Sequence, residues 1–185
     1  MVKKFLKKCV KIADKINEGF GFVANWLTTL LVIVVCYDVF NRYLFGHTNP
    51  AMYEFEWHIY ALIFLLGAGY AFKHDKHVRV DITYARFSPK GKAWVNMIGA
   101  IIFLLPFCLL VLYATKDWVY QSWMIRETSP DPGGLPMRYL LKACIPLCFI
   151  LLFIQGIAEL LKSAFFLFGS EEDKKDLKLE EIYND

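Results

Sequence analysis

The chain has 185 residues, 57% of them hydrophobic and 17% aromatic, with a formal net charge of only +3. So small a bulk charge excludes a protein that works by broad neutralisation of nucleic acid; what matters is where the charge clusters. Several uninterrupted apolar runs of about 20 residues, the length that crosses a bilayer, exclude an ordinary soluble domain. The composition is that of an integral membrane protein, all-α, arranged as a single membrane domain over residues 1–185. Of five cysteines, Cys36, Cys108, Cys144 and Cys148 lie in apolar runs and Cys9 in a basic segment. No CxxC pair or Cys/His ligand spacing occurs, so they read as small apolar membrane residues.

Residues 1–18 place Val2, Phe5, Leu6, Cys9, Ile12, Ala13 and Ile16 at helical spacing. Lys3, Lys4, Lys7, Lys8, Lys11 and Lys15 fill the opposite surface. This pattern predicts an amphipathic interfacial helix on the anionic cytoplasmic face of a membrane. It reads as retained rather than as a secretory signal, because Asp14 and Glu18 interrupt the approach and no small-residue cleavage site follows.

The first span is predicted over about 21–40, with Asp38 near its far end and Arg42 four residues on. The two share a helix face, so they read as a structural pair at the outer boundary, with a functional intramembrane charge as the alternative. The turn 41–50 is poor in positive charge, as external loops are. The second span, about 51–72, opens with Glu54, Glu56 and His58. Glu54 and His58 are an i, i+4 pair, but no third ligand of suitable spacing makes a metal site of them. They are expected to face another protein or water near the outer interface. Gly67, Ala68, Gly69 and Ala71 form a patch where helices can approach closely.

The next segment, Lys73 to Lys92, is polar and basic, and such clusters mark the cytoplasmic side. At its centre His77-Val78-Arg79-Val80-Asp81 alternates polar and apolar residues, as an extended two-faced segment does. The third span, about 93–113, contains Pro106, which predicts a kink. Tyr113, Trp118, Tyr120 and Trp123 follow as an aromatic belt. Between Arg126 and Arg138, three prolines and two glycines predict a structured turn. The fourth span, about 136–168, is given Pro136 as a first-turn proline, and 170–185 reads as a solvated polar tail. Four spans return both termini to the cytoplasm. No repeated halves and no charged mid-membrane path are visible, so transport by this chain alone is not expected.

With these residues in place, the chain resembles the DctQ-type small membrane subunit of tripartite ATP-independent periplasmic (TRAP) transporters. The resemblance is carried by Asn41-Arg42-Tyr43, Glu54, Gly67-Ala68, His77-Val78-Arg79-Val80-Asp81 and Pro106. It continues through Glu127, Ser129, Gly133-Gly134-Leu135-Pro136, Lys142, Pro146 and Gln155-Gly156. It implies a companion to a separate large membrane subunit of elevator type, which holds the substrate and sodium sites. A periplasmic substrate-binding protein would deliver an organic anion, and a sodium gradient would drive uptake across the bacterial inner membrane. Membrane lipids are further partners; nucleic acid, a cofactor, a metal and a catalytic residue are not expected in this chain. Arg42, Glu54, Glu56, Arg126 and Glu127 are candidates for contact with the large subunit or the docked binding protein. His77, Arg79 and Asp81 are candidates either for a self-contained loop clasp or for a partner contact.

Two other classes compete. A respiratory anchor binding b-type haem would draw on His47, His58, His74 and His77, but only His58 lies within a span. A small oligomeric channel would use the small-residue patches, which ordinary helix packing explains as well. No Ser/His/Asp, Cys/His or metal–water constellation points to an enzyme.

Overall fold

The computed structural model of the protein describes residues 2–46, 49–74, 84 and 87–184, and within these no strand occurs. Four long helical segments carry the fold, each long and apolar enough to cross a membrane. They are α1 (Val2–Phe45), α2 (Pro50–Lys73), a composite third segment and α5 (Arg138–Phe168). The third comprises α3 (Pro89–Gly99), a π-helical stretch (Ala100–Leu104) and α4 (Leu105–Met124). Two short helices, α6 (Glu171–Asp176) and α7 (Leu179–Asn184), close the chain.

Local chemistry sets the helix starts. Asn49 caps α2 by accepting the Ala51 N–H at 3.0 Å, and Ser88 caps α3 by accepting the Gly91 N–H at 3.2 Å. Pro50 and Pro89 occupy first-turn positions, where a missing N–H costs nothing. Pro136 does not play that part for α5. Met137, at φ 64°, takes the cap position and the helix begins at Arg138, leaving the proline outside. At Pro106 the expected distortion takes a specific form. The Leu105 N–H reaches back five residues to the Ala100 carbonyl, so the helix widens by a π turn just before the proline.

The expected break between an interfacial helix and a first span is absent. Residues 2–45 form one continuous helix, about 66 Å long at 1.5 Å per residue. Its N-terminal part is held by protein. Val10 and Ala13 pack with Ala158 and Phe165 of α5 and with Leu177, Leu179 and Tyr183. The polar tail is therefore a strap rather than a solvated segment. Asp173 pairs with Lys7 at 2.8 Å and Lys3 at 3.3 Å; Asp176 pairs with Lys11 at 2.7 Å and Lys7 at 3.2 Å. Tyr183 is fully buried, its hydroxyl 2.9 Å from Ser163 Oγ and 3.2 Å from Glu159 Oε1. Lys7 and the Ser170 cap draw the Asp173 carboxyl well below the usual carboxylate range.

Helix α5 is the centre of the bundle and touches α1, α2, α3 and α4. A buried polar chain fixes its register against α1. The Asn17 amide donates to Gln155 Oε1 at 2.8 Å, Gln155 donates to Asp14 at 3.0 Å, and Lys162 pairs with Asp14 at 2.8 Å. Gly69 of α2 lies directly against Asn17 Oδ1, and a Cβ there would overlap that atom. Gly67, one turn portion away, leaves 3.6 Å to the Ala24 Cβ.

This difference is testable. Gly69→Ala is expected to displace the Asn17 amide and destabilise the protein by about 1–3 kcal/mol, read as thermal unfolding in detergent. Gly67→Ala should be neutral or slightly stabilising, since the space exists and alanine favours the helix.

Candidate functional site

Charged side chains gather in two layers of the bundle. One, at the end that carries both termini, contains Asp14 with Lys162, and Glu18 with Lys73 at 2.6 Å and His74 at 2.7 Å. The other contains Asp38, Arg42, Glu54, Glu56, Glu127 and Lys142. Glu18 and Asp38 are 20 residues apart on α1, which is about 30 Å of helix, the thickness of a bilayer's hydrocarbon core. Between the layers the buried contacts are apolar, with Cys108, Cys148 and Leu152 at their centre.

The second layer is built around two carboxylates that tie the turn 125–137 to the helices. Glu54 is buried, and Ser129 Oγ donates to one carboxylate oxygen while the Leu135 N–H donates to the other at 2.6 Å. Gly134 packs flat over this arrangement: a Cβ there would stand 2.5 Å from Ser129 Oγ and 2.8 Å from Glu54 Oε2. Gly133, at φ 81°, supplies the left-handed residue that turns the chain before it. Glu127 holds the other side. Its carboxylate accepts from Lys142 and from Ser122 Oγ at 2.6 Å, and its carbonyl accepts the Arg138 N–H at 2.9 Å. The Lys142 ammonium, and then the Ser122 hydroxyl, draw the Glu127 carboxyl below the usual carboxylate range.

Asp38 is buried and ion-paired to Arg42 one turn on. Glu56 lies within electrostatic reach of both, with one buried oxygen lacking a hydrogen-bond partner among the described residues. Arg126 stands apart: its side chain is exposed and its backbone is left-handed at φ 47°. His58 donates from Nδ1 to the Glu54 carbonyl at 2.6 Å, so the Glu54–His58 pair is engaged within the bundle. His58 and His74 sit at opposite ends and do not face one another as two axial ligands would. His47, His77, Arg79 and Asp81 lie outside the described residues. Beside the Glu127 clasp an apolar cleft of about 660 Å³ opens between α2, α4 and α5, with the Arg138 guanidinium 5.5 Å over the Trp57 ring.

The layer near the termini went unread in the sequence beyond its lysines. Asp14, Asn17, Gln155 and Lys162 are separated by more than 130 residues in pairs, and only polar residues inside apolar runs hinted at them.

Four membrane-length apolar helices, with the buried charges of the spans kept to two boundary layers and no strand among the described residues, define a membrane protein of the helical type. The comparison with known families agrees and narrows it. Residues 31–165 match the family of tripartite ATP-independent periplasmic transporters, DctQ component, and the chain belongs to that family. It is also similar to a Haemophilus influenzae protein named "Putative TRAP transporter small permease protein", with 25% identity over 160 residues covering 86% of this chain and 96% of the relative. No solved structure gives a significant match.

Two results are expected. Glu54→Gln turns one of the two acceptor oxygens into an NH2 group, leaving one of the two donors without an acceptor, and should lower the melting temperature by several degrees and speed proteolysis of the 126–137 turn. The second concerns pH. Because Glu127 titrates below its ordinary value of 4.5 in the folded protein, its contribution is present above that value and is lost as the pH falls below it. Unfolding curves of the wild type and Glu127→Gln should therefore differ at neutral pH and draw together as the pH falls below 4.5 and through the lowered value of the folded state.

Proposed function

We propose that this protein is the small permease subunit that braces a large elevator-type membrane subunit in a TRAP uptake system. It sits in the bacterial inner membrane with both termini cytoplasmic. The orientation is supported by the concentration of lysines near the termini and in residues 73–92 against few cations at the other end. The amphipathic residues 2–18 then stand at the cytoplasmic face. The substrate and sodium sites belong to the large subunit, a periplasmic binding protein delivers an organic anion, and this chain performs no chemistry of its own.

One observation carries the reading: the middle of the bundle is an apolar layer, while most of the buried charges at its two ends hold helices and turns together. Among the described residues no charged path for an ion or an anion crosses that layer, and the bundle has the rigidity of a scaffold. The turn 125–137, pinned by Glu54 and Glu127, and the neighbouring Arg42 and Glu56 form the outward surface on which a docked binding protein would rest.

Mild-detergent purification of the tagged chain from its native membrane tests this. A much larger multispan protein should co-purify in equal amount, and deletion of the small subunit should abolish sodium-dependent uptake. Recovery of the chain alone, or with a soluble redox enzyme, would sink the proposal.

A further inference from the structure

The N-terminal arm of α1, residues 2–18, is divided lengthwise by what covers it. Val10, Ala13 and Asn17 are buried, and Lys3, Lys7 and Lys11 are taken by the strap acids Asp173 and Asp176. The other half of the helix is uncovered. It presents Val2, Phe5, Ile12 and Ile16, with the half-buried Cys9 between them, spaced alternately by three and four residues, with Val2 71% and Phe5 66% exposed. Lys4, Lys8 and Lys15 run along one edge of this stripe. They are exposed, and none has an ion pair among the described residues.

A bilayer does not account for the stripe. The charged layer at Asp14, Glu18 and Lys162 marks the edge of the hydrocarbon. Thirteen residues of helix set Phe5 about 20 Å beyond Glu18, or about 15 Å at a tilt of 40°. The headgroup region is only roughly 5–8 Å deep per leaflet. The strap fastens the arm to the end of α5, so the arm continues the line of its span. The alternating three–four step also continues into the membrane at Val23, Trp26 and Leu30, all exposed. A repeat of 3.5 residues is the spacing by which two helices wind round each other left-handedly, with flanking charges choosing the partner.

We infer that this face of α1 is a seam for a helix of the large membrane subunit that extends past the membrane and sets carboxylates opposite Lys4, Lys8 and Lys15. The inference rests on the subunit reading above. Charge selects this occupant over a second copy of the chain. Among the described residues the acids in contact with the arm, Asp14, Glu18, Asp173 and Asp176, are already paired within the chain, so a second copy would set its own lysines against these lysines with only Glu172 of the strap unpaired nearby.

The test places a photo-crosslinking phenylalanine analogue at Phe5, and separately at Ile12, in the full chain co-expressed with its large subunit. An adduct joining the two chains is expected at both positions. If the complex is recovered but the adducts are with lipid only, or with a second copy, the seam is overturned while the subunit reading stands. If no complex is recovered at all, both fall. As an independent check, Lys8→Gln with Lys15→Gln should lower retention of the large chain about fivefold at physiological salt, the scale of two exposed ion pairs. Lys8→Arg with Lys15→Arg should preserve it, and equal retention by all three proteins would overturn the acidic partner.

Discussion

Charge cannot be left unsatisfied in hydrocarbon, and that constraint arranges this molecule. The buried ionic groups described above within the four spans lie in two layers about 30 Å apart, and most are held by a partner from a different part of the chain. Asp14 with Lys162 and Gln155 fastens the first span to the fourth. Glu54 with Ser129 and Leu135 fastens the second span to the turn between the third and fourth. The apolar helices between the layers would slide past one another with little penalty, because lipid is as good a neighbour as leucine. The polar layers are what choose one register.

This division explains why the two ends of the bundle differ in kind. The end holding the turn 125–137 is closed by short-range devices, with a glycine at positive φ, a second glycine fitted over a carboxylate, and hydrogen bonds back to Glu54 and Glu127. The end holding the termini is closed by long side chains meeting across great sequence distance, with three lysines on two aspartates and a tyrosine hydroxyl between serine and glutamate. The first resembles a hinge pin and the second a drawstring. Both leave the outer faces of the helices apolar and free for a neighbour.

The four spans were legible because length and hydropathy are local properties, read without knowing the fold. Pro106 announced a distortion for the same reason, although its form, a π turn before the proline, depends on which carbonyl the Leu105 N–H selects. Glu54, Glu127 and the glycine-proline turn were legible as unusual residues, and it took the fold to pair them. Asn17 and Gln155 were unreadable as partners, since 138 residues separate them and the Gln155-Gly156 motif says nothing of what the glutamine meets. The tail misled for a physical reason. Its alternating acids and lysines resemble a solvated segment, and the buried hydrophobic side chains Leu177, Leu179 and Tyr183 follow no helical period across the turn that separates α6 from α7. The arm misled in part: its lysines look equivalent in sequence, and only the strap sorts them into two sets.

The drawstring also imposes an order in time. Lys3 leaves the ribosome 170 positions ahead of Asp173. Until the chain has grown past the strap, the lysines of the arm and the apolar surface around Val10 and Ala13 lack the cover that the strap gives them. The bundle can insert span by span, but its first helix is fastened only after its fourth is made. During that interval the arm is open to chaperones or lipids, and a ribosome stalled before residue 171 would release a chain with four spans in place and its N-terminus unfastened.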